Sequence, residues 1–89
     1  MTTEERKLQA KMPIKWMGNL SDDCTAEWAG LMLRAEKMDE NNWWWAVYDM
    51  QKDEITIEDS TEYKERFISG EISRKKAESV AIKYIINLN

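Results

Sequence analysis

Histidine is absent from this chain, cysteine and proline each occur once, and only three glycines are spread over its 89 residues. Without histidine there is no Ser/His or Cys/His catalytic pair, no His-ligated zinc and no imidazole pH switch. Cys24 has no second cysteine to pair with, which excludes an internal disulfide framework. Asp22 and Asp23 precede it, and their charge disfavours a thiolate, so it reads as a small, partly buried residue near a strand start. The scattered glycines build no phosphate-cradling loop. No apolar run approaches the roughly 20 residues that a bilayer-spanning helix needs. The first residues, Met1 to Arg6, lack the apolar stretch of a secretory signal. The expectation is a cytoplasmic protein with no membrane contact. The net charge of −4 argues against whole-surface attraction to nucleic acid.

What the chain has is tryptophan, five in all, three of them consecutive at Trp43-Trp44-Trp45. Aromatic and β-branched residues favour extended structure, which predicts a strand from Trp43 to Met50. Successive side chains of a strand point to opposite faces, so the three indoles cannot share one core. Trp43 and Trp45 face one way, and Trp44, Ala46 and Tyr48 the other. Hydrophobic residues make up 43% of the chain and charged residues 34%, a balance that supports a folded domain and not a disordered one.

The sequence predicts an N-terminal arm over residues 1–13, frayed or a short helix, followed by a single α+β domain over 14–89. Thr2 and Glu5 have capping-box spacing, and Pro13 ends the segment. A strand is expected from Thr25 to Lys37, with Ala29, Leu31, Leu33 and Ala35 inward and Trp28, Met32, Arg34 and Glu36 outward. Gly30 within it marks a bulge or a close backbone approach. The turn Asp39-Glu40-Asn41-Asn42 leads back into the tryptophan strand as an antiparallel hairpin. Its length decides the register. A four-residue loop puts Trp44, Ala46 and Tyr48 inside, whereas an odd loop puts Trp45 and Val47 inside. Val47 has no polar group to keep wet, which favours the second. A further strand is expected over Glu54 to Glu58, and Ile14–Met17 is a candidate fourth. Tyr63 and Phe67, four apart, suit one turn of helix that stops at Gly70. The acidic run from Asp53 to Glu62 has no calcium-loop spacing and reads as a solvated face, so no metal or cofactor is expected.

A C-terminal helix is expected from Ser73 to Leu88, its stripe formed by Ala77, Val80, Ala81, Tyr84, Ile85 and Leu88 and broadened by Ile82 and Ile86. The fold class is therefore α+β. It is a two-layer domain with a three-stranded antiparallel sheet, four-stranded if Ile14–Met17 joins, packed on one C-terminal helix in the order (α)-β-β-β-α. Arg74, Lys75 and Lys76 would crowd the first turn, where cations oppose the macrodipole. Either the helix begins a turn earlier with Ser69 as cap, or the triplet binds phosphate. Ser73-Arg74-Lys75-Lys76-Ala77 after three strands resembles the C-terminal part of a double-stranded RNA-binding domain. The resemblance covers about six residues, with Glu78 in place of a lysine, only Gly70 of two paired glycines and no Gly-Pro-x-His loop. It implies phosphate contacts by Arg74 and Lys75.

The function expected from the residues is a non-catalytic protein-interaction module. Its partner-binding residues are Trp28, Met32, Arg34, Trp44 and Tyr48 on an aromatic sheet face, and its partner is another protein or a second copy in a homodimer. Nucleic-acid binding through Arg74, Lys75 and Lys76 is the alternative.

Overall fold

A tight turn at Ala29-Gly30 organises the first half of the sheet in the computed structural model, which describes residues 1–89. Both turn residues have positive φ, 51° and 79°, the backbone of a two-residue hairpin whose twist matches that of its strands. The turn joins β2 (Asp23–Trp28) to β3 (Leu31–Asp39), with Trp28 opposite Leu31 and Cys24 opposite Ala35. This corrects the single strand expected over Thr25–Lys37. The two residues flanking such a turn face each other across the hairpin, so their side chains share a face. In a continuous strand, residues three apart would point oppositely. The turn therefore reverses the parity of everything before it, and Trp28 goes inward with Cys24 and Ala26. Ala-Gly is not the Asn-Gly or Asp-Gly signature of such a turn, which is why it passed as a bulge.

The second turn sets the tryptophan register. β4 (Asn42–Asp49) pairs with β3 so that Ala35 faces Trp45 and Leu33 faces Val47. Asp39 lies opposite Asn42, and Met38 is the extra residue of a bulge between Lys37 and Asp39. Trp45 and Val47 are fully buried as a result. β1 (Met17–Asn19) pairs with β2, and β5 (Ile55–Asp59) pairs with β4. The outcome is an antiparallel meander of five strands in chain order, not three or four. Past the end of β5, β4 is completed by other partners. The Trp45 N–H donates to Ser60 Oγ at 3.3 Å, and the Trp43 N–H donates to the Phe67 carbonyl at 2.7 Å.

The long helix α2 (Gly70–Ile86) packs on β3 and β4. Its Ala77, Ala81 and Ile85 join Leu31, Leu33, Ala35, Trp45 and Val47 in one buried cluster. Small residues at Ala77 and Ala81 allow close approach to a sheet face already filled by an indole. Ser69 is the N-cap, its hydroxyl accepting from the Ile72 N–H at 3.2 Å. The cations at 74–76 thus sit beyond the first turn, and Ser73 is a fully buried interior residue instead of the cap. Gly70 opens this helix and does not close one at Tyr63–Phe67. A Cβ there would come within 2.8 Å of the Trp43 ring, so only glycine lets the helix start against that indole. A short 3₁₀ turn, Ser60–Glu62, precedes it. Ile82 and Ile86 are exposed, not part of the core.

The N-terminal helix α1 (Thr3–Gln9) begins with the capping box formed by Thr2 and Glu5. Its Arg6 is buried and makes a two-pronged ion pair with the fully buried Asp49, at 3.0 and 3.2 Å. Arg6 Nε also donates to the Ala29 carbonyl at 2.9 Å, and the Tyr84 hydroxyl donates to Asp49 at 2.7 Å. One polar cluster thereby ties α1, the β2–β3 turn, the end of β4 and α2. Burial pushes the Asp49 carboxyl up, but hydrogen bonds from Tyr84, Arg6 and the Gln51 N–H, with the guanidinium charge, outweigh it and hold it below the usual carboxylate range. The Trp28 indole N–H donates to the Met12 carbonyl and that of Trp16 to Glu78, both at 2.8 Å, so the connection after α1 lies on the helix side of the sheet. No helix is long and apolar enough to cross a membrane.

Candidate interaction surface on the outer sheet face

Strand register places three cross-strand rows on the face turned away from the helices. The first is Asn19, Asp23, Glu36 and Trp44, the second Met17, Thr25, Arg34, Ala46 and Asp59, and the third Glu27, Met32, Tyr48 and Thr56. Four of the five expected partner-binding residues, Met32, Arg34, Trp44 and Tyr48, therefore share this surface, and each is half-buried. Trp28 does not join them. It is 7% exposed on the opposite face, because the Ala29-Gly30 turn inverts the parity of β2.

The elements that could have capped this face pack elsewhere. Trp45 is ringed on the inner side by Tyr63 and Phe67, with centroids 5.6 and 5.7 Å away, and these two rings are 5.8 Å apart edge to face. The Tyr63 hydroxyl donates to the Glu58 carboxylate, and that bond raises the phenol above its ordinary value. The connection from Tyr63 to Phe67 thus extends the inner core and leaves the outer indole uncovered.

Arg34 holds the centre of the outer face. Its guanidinium lies 5.8 Å from the Trp44 ring centroid and within 3.6 Å of Asp23 and 3.5 Å of Glu36. A planar cation over an indole and between two carboxylates is fixed in orientation, although each half-exposed ion pair adds little stability. Ala46, opposite Arg34, is fully buried although it points outward, so the larger side chains around it close over the backbone. Beside Arg34 lies a shallow cavity of about 340 Å³, bordered by Asp23, Met32, Tyr48, Met50 and Glu54. Asp23 and Glu27 were not among the expected site residues. Reading Ala29-Gly30 as a turn would have brought both outward in the same step that took Trp28 inward.

The residues of the alternative phosphate site are each engaged within the chain. Arg74 donates to the Leu20 carbonyl at 2.9 Å, Lys75 pairs with Glu71 at 3.3 Å, and the Lys76 ammonium lies 4.6 Å from the Tyr63 ring centroid. They point to three different partners and do not converge on a common point. The sheet of five strands also departs from the three-stranded topology that the RNA-binding resemblance implies. Cys24 is buried, and burial raises its thiol above the ordinary value.

The fold and its bare face define a class by geometry alone, a five-stranded α+β meander with both helices on one side. Comparison with known proteins finds no family model, no curated protein and no solved structure that matches the chain.

Proposed function

We propose that the chain is a non-catalytic protein-interaction module of the cytoplasm, and that Met32, Arg34, Trp44 and Tyr48 form its docking surface. One observation carries this reading. Both helices and the Tyr63–Phe67 connection lie on the other side of the sheet, so a large indole and a phenol stay partly exposed to water at the centre of a five-stranded face. Tryptophan, tyrosine, methionine and arginine are the residue types enriched at the centres of protein interfaces. Burying the open half of Trp44 and Tyr48 supplies apolar area, and the oriented Arg34 supplies a directional contact. A reading without chemistry is supported by composition, since the chain has no imidazole and its one thiol is buried. The lone unpaired cysteine suits a reducing compartment.

The test is association measured with and without the outer indole. Light scattering across a concentration series and affinity capture should both show a complex, with itself or with a protein partner, that Trp44→Ala loses. The helical circular dichroism of that variant should match the wild type. Equal association by both proteins would overturn the reading. Loss of the helical signal would show that Trp44 is a structural residue and move the surface elsewhere.

A further inference from the structure

The outer face has a chemical bias that narrows its occupant. Among its strand residues Arg34 is the only cation, while Asp23, Glu27, Glu36 and Asp59 are carboxylates on the same rows and Glu54 borders the cavity beside Tyr48. Arg34 is already flanked by Asp23 and Glu36, so its charge is spent locally and Glu27 and Glu54 stay uncompensated. Two copies stacked face to face would set carboxylate against carboxylate, a repulsive arrangement that argues against a homodimer on this surface. A cation is favoured twice over. The surrounding carboxylates attract it, and the aromatic rings offer it a face, as Arg34 over Trp44 demonstrates within the chain. The apolar part of the surface is rich in methionine. Met32 is half-buried, and Met17 and Met50 are exposed. Methionine is flexible and polarizable and adapts to apolar side chains of varied shape.

We propose that the occupant of the outer face is a basic, amphipathic polypeptide segment. Its lysine or arginine side chains meet Glu27, Glu54 and the open ring of Tyr48 or Trp44, and its apolar side chains rest on Met17, Met32 and Met50. The proposal rests on the reading of this face as a protein-docking surface and adds the chemistry of the partner. An anionic lipid surface and nucleic acid are disfavoured by the same carboxylates that attract the basic segment.

The five indole N–H groups give a built-in readout. Trp16 and Trp28 have their indole N–H groups bonded to Glu78 and Met12, and Trp43 and Trp45 are buried, so only Trp44 reports on the outer face. The ¹⁵N-labelled protein is titrated with a short peptide of lysine, leucine and alanine, and separately with its glutamate-for-lysine counterpart. The lysine peptide should shift the Trp44 indole and the Met32 and Tyr48 amides, and the glutamate peptide should not. Its affinity should fall severalfold between about 20 and about 300 mM salt, as charges on an exposed surface are screened. Trp44→Ala should weaken binding roughly 3- to 30-fold, the range of a cation–π contact. The paired change Glu27→Lys with Glu54→Lys should abolish it while leaving the Arg34–Glu36 pair and the core untouched. The charge-matched pair Glu65→Lys with Glu71→Lys, away from this face, should bind like the wild type.

Four results would overturn the proposal, and they separate it from the reading beneath it. Equal binding of both peptides, or equal weakening by both lysine pairs, removes the basic partner. No peptide binding together with a concentration-dependent dimer that shifts the Trp44 indole makes the occupant a second copy and keeps the face as an interface. Peptide shifts confined to α2 or to the Arg6 end of the molecule remove both the partner and the face.

Discussion

The two faces of the sheet use tryptophan in opposite ways, and adjacent residues of β4 display the contrast. Trp45 is fully buried, ringed by Tyr63 and Phe67 beneath α2. Trp44 points the other way and is partly exposed between Glu36 and the Arg34 guanidinium. The inner face is closed on every side by helix, 3₁₀ turn and N-terminal connection, and the outer face is closed by nothing but its own side chains. A domain of this size buries only about 60–65% of its unfolded surface, so an indole placed outside is apolar area withheld from the core. Stability resides on one side of the sheet, and the proposed function on the other.

The sharpest way to break this contrast is to truncate the buried indole. Trp45→Ala removes the largest fully buried side chain and leaves a cavity that the surrounding rings cannot refill. The cost expected is about 3–5 kcal/mol, a large part of the roughly 5–10 kcal/mol a small domain has. Urea denaturation should show a protein largely unfolded or shifted to a much lower midpoint. A shift under about 1 kcal/mol would mean the inner face repacks freely, contrary to the density of native cores.

The polar cluster at the end of β4 is the next element to test. Asp49→Asn leaves the Arg6 guanidinium buried without its counter-charge, and removing one partner of a buried pair costs about 3 kcal/mol. The wild type should show the same dependence through pH. The folded Asp49 carboxyl lies below the usual range, so its stabilising contribution is complete above the unfolded value of about 3.9. It is gone once the pH has fallen through the lower folded value. Stability measured from pH 7 down to pH 2 should therefore fall more steeply in the wild type than in Asp49→Asn. Parallel curves would show that this carboxylate does not govern acid sensitivity.

Much of this division was legible in the sequence, and what was hidden has a common cause. The alternation through Trp43–Tyr48 and the spacing of Ala77, Ala81 and Ile85 encode the strand and the covering helix, because each is a local periodicity, whereas the register hung on the turn and its bulge at Met38, with only the apolar character of Val47 favouring the one found. The Ala29-Gly30 turn was not legible, since an alanine with a φ of 51° gives no turn signal and the apolar alternation runs straight through it. That one turn accounts for the extra strand, the inward position of Trp28 and the outward position of Asp23 and Glu27. The role of Arg6 was also hidden. A lone arginine in a short polar helix looks solvated, and its partner Asp49 lies far along the chain, where no spacing rule links the two. Glycine at position 70 reads as a helix stop in sequence, whereas in space it makes room for the Trp43 ring.

The smallest expected effect is the most discriminating one, because it concerns the outer indole. Trp44 is partly exposed, so alanine there forfeits about two-thirds of the roughly 150–250 Å² an indole can bury. The open face has no enclosed cavity to leave behind. At about 25 cal/mol per Å² the loss is about 2.5–4 kcal/mol at most, and lateral relaxation of Arg34 and Tyr48 over the vacated space should bring it to about 1–2 kcal/mol. Trp44→Ala and Trp45→Ala remove the same atoms from neighbouring positions on one strand, so their difference in urea midpoint isolates the effect of which way a side chain points. A gap of about 2 kcal/mol or more between the two variants is the result expected from a one-sided core. Equal losses would mean that the outer side chains form a second core of their own, and that the open face is stabilised for the protein's own sake and not held ready for a partner.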